Sequence, residues 1–110
     1  MKKYCFDLDH TLCNTLNGDY HNSTPIPEAI KGVNNLYSEG NYIIIFTARM
    51  MGRCKGVTSK VYEAIYELTK NQLIDWDVNH HELILGKPEY DIIIDDKSID
   101  FDKFWYKKFI

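Results

Sequence analysis

Apolar positions along the chain fall into short blocks whose spacing alternates between strand and helix periods. Lys3 to Leu8 is short and mostly apolar, with Asp7 and Asp9 at its C-terminal end, and predicts a strand. Residues 12–24 (LCNTLNGDYHNST) are polar and contain Asn17-Gly18, a pair that favours tight turns, so they predict an ordered flap or small hairpin. Pro25 and Pro27 close that segment. Ile26, Ile30, Val33, Leu36 and Tyr37 then recur at helical spacing; Pro27 suits a first turn and Gly40 stands where a C-cap glycine is expected.

Asn41 to Phe46 (NYIIIF) is almost wholly apolar and β-branched, the composition of a parallel strand covered on both faces. Thr47-Ala48-Arg49 follows it, then the glycine-punctuated MMGRCKG. Thr58 or Ser59 can cap a helix carrying Val61, Ile65, Leu68, Leu73 and Trp76. Glu82 to Leu85 predicts a third strand, and Tyr90 to Ile94 (YDIII) a fourth that ends in Asp95-Asp96. Phe101, Phe104 and Trp105 predict a terminal helix or an aromatic-anchored turn. Alternation of this kind predicts a small α/β sandwich with a mostly parallel sheet.

The chain has 110 residues, enough for one domain spanning 1–110 and too few for a cap domain beside it. A folded chain of this mass exposes about 6,300 Å² and buries about two-thirds of its unfolded surface, which supports one real core. Thirteen Lys and Arg against sixteen Asp and Glu give a formal charge of −3, which argues against a dedicated nucleic-acid surface. The longest apolar stretch, Tyr42 to Phe46, is far too short to span a membrane. Met1-Lys2-Lys3 runs straight into carboxylates without a signal-peptide pattern, and Cys5, Cys13 and Cys54 lack CxxC spacing. Reduced thiols and a cytoplasmic location are the resulting expectation.

Chemistry gathers at the strand ends. In an open parallel sheet, ligands bind outside the carboxyl ends of the strands. Asp7, Asp9, Thr47, Lys87, Asp95 and Asp96 can therefore converge although they are spread along the chain. Asp7 and Asp9, two apart, face one side while the strand continues. Four carboxylates make an all-oxygen environment suited to Mg²⁺, with Lys87 and Thr47 as cation and hydroxyl for phosphate oxygens.

The same residues, in the same order, resemble the haloacid dehalogenase (HAD) phosphohydrolase superfamily. Asp7-Leu8-Asp9-His10-Thr11 is similar to its DxDxT motif, Thr47 to its second motif, Lys87 to its third, and Ile92-Ile93-Ile94-Asp95-Asp96 to its fourth. The resemblance runs from residue 3 to about residue 100. Within it, DLDHTLCNTLNGDY, STPIPEAI, YIIIFTAR and HELILGKPEYDIIIDDKSID resemble the short capless phosphatases of capsule or polysaccharide biosynthesis.

That resemblance implies a three-layer, Rossmann-like HAD sandwich without a cap. It implies a Mg²⁺-dependent phosphomonoesterase acting on a phosphorylated sugar or polysaccharide precursor. Asp7 would be the nucleophile and Asp9 the general acid/base, with Thr47 and Lys87 on the phosphoryl group. Asp7, Asp9 through its carbonyl, Asp96, Asp95 and, through water, Asp100 would serve the metal. Arg49, His10 and Tyr20 are substrate-contact candidates; sheet-edge pairing for Arg49 and local packing for Tyr20 compete. His10 departs from the family, which commonly has glycine there. The alternatives are a phosphatase or phosphotransferase for nucleotides or nucleic-acid ends, and a non-enzymatic binding protein. With no cap, a short flap or a second subunit has to roof the site. His80-His81 lacks a recognised zinc spacing, and Trp76, Trp105, Tyr106 and Phe109 read as core or interface aromatics.

Overall fold

The structure, a computed structural model, describes residues 1–99 and 102–110. Three strands form a parallel sheet: β1 (Lys3–Phe6), β4 (Tyr42–Thr47) and β5 (Glu82–Leu85), in the order β1-β4-β5. Register sets Phe6 beside Ile45 and Ile45 beside Leu83, so one face carries Tyr4, Phe6, Ile43, Ile45 and Leu83. The two crossovers are helices α1 (Pro27–Ser38) and α2 (Thr58–Asp75). Ala29, Ile30, Val33 and Leu36 of α1 and Leu73 of α2 pack with Phe6, Ile43 and Ile45 in one core, and Val61, Ile65 and Leu85 form a second cluster. The small α/β architecture with a parallel sheet and no cap is thus what the described residues form.

Between β1 and α1 the chain makes a small roof. Strand β2 (Cys13–Asn14) pairs antiparallel with β3 (Thr24–Pro25), and a 3-10 turn, Tyr20–Asn22, lies between them. Asn17 and Gly18 both take positive φ, 52° and 68°, as the sequence pair predicts. The C-terminal 3-10 helix, Trp105–Phe109, docks against α1 and β1, with Trp105 5.4 Å from Phe6 and Phe109 6.0 Å from Tyr4 between ring centroids. Gly32 permits this approach, because a Cβ there would stand 3.3 Å from Tyr106 Cβ. Replacing Gly32 by valine is expected to destabilise the fold by about 1–3 kcal/mol through overpacking. A urea titration checks this, and an unchanged midpoint would show that the terminal helix is not packed on α1.

The expected fourth strand does not form. Residues 92–94 join no ladder, with Ile92 80%, Ile93 55% and Ile94 95% exposed. A strand in parallel register beside β1 requires the chain to return to the far end of the sheet. Such crossovers take a dozen or more residues, and only residues 86–89 separate β5 from this run. The total accessible surface, 7282 Å², exceeds the roughly 6,300 Å² expected for this mass, as an uncovered apolar run requires. No helix among the described residues is long and apolar enough to cross a membrane.

Candidate functional site

The loops after β1, β4 and β5 meet at the carboxyl edge of the sheet around a cavity of about 530 Å³. Asp7, Asp9, His10, Thr47, Arg49 and Tyr20 line it, so most of the sequence-predicted residues converge. A second cleft, of about 510 Å³, holds Asp7 again with Lys87, Tyr90 and Asp95. Asp7 therefore sits where the two meet.

Asp7 is accessible, its side chain 41% exposed, and Lys87 Nζ lies 3.4 Å from its Oδ1. Thr11 Oγ1 donates a long 3.5 Å hydrogen bond to Oδ2. Lys87 is only 13% exposed and lies 5.3 Å from the centre of the Tyr90 ring. Burial pulls its ammonium down, but Tyr90 and the Asp7 charge outweigh that and hold its pKa above the ordinary lysine value. Thr47 is buried at the end of β4; its hydroxyl accepts from Arg49 N at 3.2 Å, and its carbonyl accepts from Lys87 N at 3.2 Å. A hydroxyl that accepts from a backbone N–H still has its own proton to donate.

Asp9 is enclosed by donors. Arg49 Nε approaches Oδ2 at 3.0 Å, Arg49 Nη2 reaches Oδ1 at 3.0 Å, and Thr15 Oγ1 donates to Oδ1 at 2.6 Å. Burial pushes the Asp9 carboxyl up, but the hydrogen bonds and charge of Arg49, with Thr15 and Cys13, outweigh it and hold it below the usual carboxylate value. Beside it, burial and the Asp9 charge push the Cys13 thiol up to about 12, so it stays a neutral, inert thiol.

Of the two readings open for Arg49, substrate contact and pairing at the sheet edge, the geometry matches the pairing with Asp9. Arg49 is 1% exposed and turned inward: Nη1 donates to Thr69 Oγ1 at 3.1 Å and Gln72 Oε1 at 2.6 Å, and Nη2 to Ser23 Oγ at 3.3 Å. Sequence reading missed Thr15, Ser23, Thr69 and Gln72. A signal existed for two of them, since Thr69 and Gln72 interrupt the apolar stripe of α2 set by Val61, Ile65 and Leu73 with polar groups.

His10 is exposed at the cavity and takes φ 66°, the left-handed conformation that glycine adopts freely. A histidine there costs about 1–2 kcal/mol relative to its favoured regions. Its N–H is fixed to Cys13 O at 2.6 Å. Tyr20 belongs to the roof, its ring 4.9 Å from the Arg49 guanidinium and 5.7 Å from that of Arg53. Arg53 Nη2 donates to Gly18 O at 3.1 Å across the mouth of the cavity, and Glu89 stands on the same rim.

Asp95 and Asp96 lie on the exposed segment after the unladdered run. Asp95 Oδ1 accepts from Lys97 N at 2.9 Å, and Asp96 lines neither cleft. Asp100 falls outside the described residues, as does Phe101. Among the described residues no three His, Cys, Asp or Glu side chains stand together as a finished metal cage. The donor chemistry nonetheless suits Mg²⁺, which takes one or two carboxylates and keeps its waters: Asp7 and Asp95 share one cleft.

No family model and no curated protein matches the chain. Its fold is similar to the crystal structure of an MCSG target from Vibrio cholerae, with a TM-score of 0.84 and 30% sequence identity, covering 90% of this chain and 83% of that one. At that identity and coverage, the chain belongs to the same family as this Vibrio cholerae protein.

Proposed function

We propose that the protein is a Mg²⁺-dependent phosphomonoesterase working through an aspartyl-phosphate on Asp7, with a phosphorylated sugar or polysaccharide precursor as substrate. The observation that carries this reading is an accessible Asp7 carboxylate 3.4 Å from Lys87, at the edge of the cavity that Thr47 lines. An Asp7 oxygen attacks phosphorus, the bond to the leaving oxygen breaks, and water later cleaves the acyl-phosphate. Lys87 faces the charge that builds on the phosphoryl oxygens, and the Thr47 hydroxyl donates to one of them.

Asp9 protonates the leaving oxygen and takes a proton from the attacking water. Its ionised resting state suits the second task directly. The first requires a proton on Oδ2, the oxygen that has Arg49 Nε as its partner. Mg²⁺ would be held by Asp7, the Asp9 carbonyl and Asp95, with Asp96 outside both clefts, and when bound it would supply positive charge to the phosphoryl oxygens.

A rim of His10, Asn17, Arg53 and Glu89 mixes donors, acceptors and both charges. That combination supports a polyhydroxylated leaving group over a polyanionic one. The test is phosphate release from a panel of sugar phosphates, nucleotides and an aryl phosphate, with Mg²⁺ or EDTA. Metal-dependent release led by sugar phosphates is expected. Release that EDTA leaves untouched would remove the metal from the reading, and no release from a folded protein would favour a binding role.

A further inference from the structure

We infer that Arg49 is a positioning residue: its guanidinium joins the Asp9 carboxylate, helix α2 and the roof of residues 12–25 into one unit, so that substrate meets an Asp9 already oriented. The inference rests on the phosphomonoesterase reading for what Asp9 does, but not for the coupling itself.

Three groups of contacts carry it. Toward the sheet edge, Nε and Nη2 grip both Asp9 oxygens. Toward α2, Nη1 is taken by Thr69 and Gln72, and Gln72 Nε2 in turn donates to Tyr20 O at 2.6 Å. Toward the roof, Nη2 donates to Ser23, which is 2.6 Å from Thr15, and Thr15 closes the ring onto Asp9 at 2.6 Å. Thr15 follows β2 and Ser23 precedes β3, so both ends of the roof are tied to one carboxylate.

A guanidinium is the side chain that fits such a hub, because its donors leave one plane in fixed directions. A lysine ammonium has three donors on one nitrogen and cannot span the positions that the three guanidinium nitrogens serve. With its N–H groups engaged and 1% of its surface exposed, Arg49 has no donor left for substrate. Thr69, Gln72 and Ser23 do not line the cavity. Thr69 reaches Asp9 through Arg49 alone, whereas Gln72 also holds the Tyr20 carbonyl and Ser23 also holds Thr15.

The experiment compares wild-type protein with R49A, R49K and Q72L, reading steady-state kinetics on the best panel substrate and amide exchange across residues 12–25. R49A is expected to lower kcat about 100-fold with KM held within about twofold, the signature of misplaced chemistry instead of lost binding. R49K should not rescue it, and low-millimolar guanidinium should restore part of the R49A rate. In Q72L the same split is expected at about tenfold, and roof amides should exchange at least about tenfold faster in both R49A and Q72L. A raised KM with unchanged kcat in R49A would make Arg49 a substrate ligand and overturn the inference. So would roof amides exchanging at the wild-type rate in folded Q72L. If wild-type protein releases no phosphate, the phosphomonoesterase reading fails alone, and the exchange rates still decide whether Arg49 couples the roof to α2.

Discussion

Replacing Asp7 by asparagine is expected to reduce phosphate release at least about 1,000-fold while the protein stays folded. Asparagine keeps the volume and one acceptor of the carboxylate but has no anionic oxygen with which to attack phosphorus. The structural consequences are small. The Asp7 side chain is 41% exposed, with Lys87 at 3.4 Å and a long hydrogen bond from Thr11 at 3.5 Å. Loss of a partly exposed pair of this kind changes stability by no more than about 1 kcal/mol. Turnover and thermal unfolding measured on the same preparation therefore separate chemistry from folding. Turnover within tenfold of wild type in a clean preparation would remove Asp7 as nucleophile. Loss of turnover together with loss of the fold would point to a structural role that its exposure does not suggest.

Much of the fold was legible because local signals agreed with tertiary demands. The spacing of Ile26, Ile30, Val33 and Leu36, with Pro27 at the start and Gly40 beyond the end, describes α1, and Gly40 does take φ 91°. Glu82–Leu85 is the strand that its composition predicts, and the apolar run from Asn41 gives β4, shifted by one residue to include Thr47. Thr58 opens α2 as its first residue, not as its cap, and Val57 occupies the capping position without a side-chain bond. Tyr106 is core, Trp105 and Phe109 pack half-buried against the same cluster while Phe104 stays exposed, and His81 is structural. It stacks between Tyr37 and Tyr42, and its Nδ1 accepts from Ile43 N at 3.0 Å.

What escaped the sequence depends on partners far along the chain. Tyr90–Ile94 has strand composition, but a strand needs a ladder, and the short connection from β5 denies it one beside β1. Arg49 sits two residues after Thr47, which places it at the sheet edge whichever way it turns. Its inward turn is fixed by Thr69 and Gln72 on α2 and by Asp9 forty residues earlier. No local pattern around Arg49 contains that information; the polar breaks in the α2 stripe were the nearest trace of it.

Lys87 offers the second large effect. Replacement by methionine is expected to lower turnover about 100- to 1,000-fold, the usual consequence of removing a preorganised charge from developing negative charge. Methionine fills the space of the lysine stem, so the cleft beside Tyr90 stays occupied. Removal of the ammonium leaves Asp7 without its nearby cation at 3.4 Å. The pH dependence has a definite sign. The folded pKa of Lys87 lies above its unfolded value, so the stabilisation from its partners is fully present below that unfolded value, about 10.4, and is lost only as pH rises through the higher folded value. Neither turnover nor stability should therefore show an alkaline decline from Lys87 below about pH 10. A pH series of urea midpoints and rates for wild type and K87M tests both statements. Turnover of K87M within about threefold of wild type would exclude Lys87 from the transition state, because a charge that close to the phosphoryl oxygens cannot be removed at so small an effect.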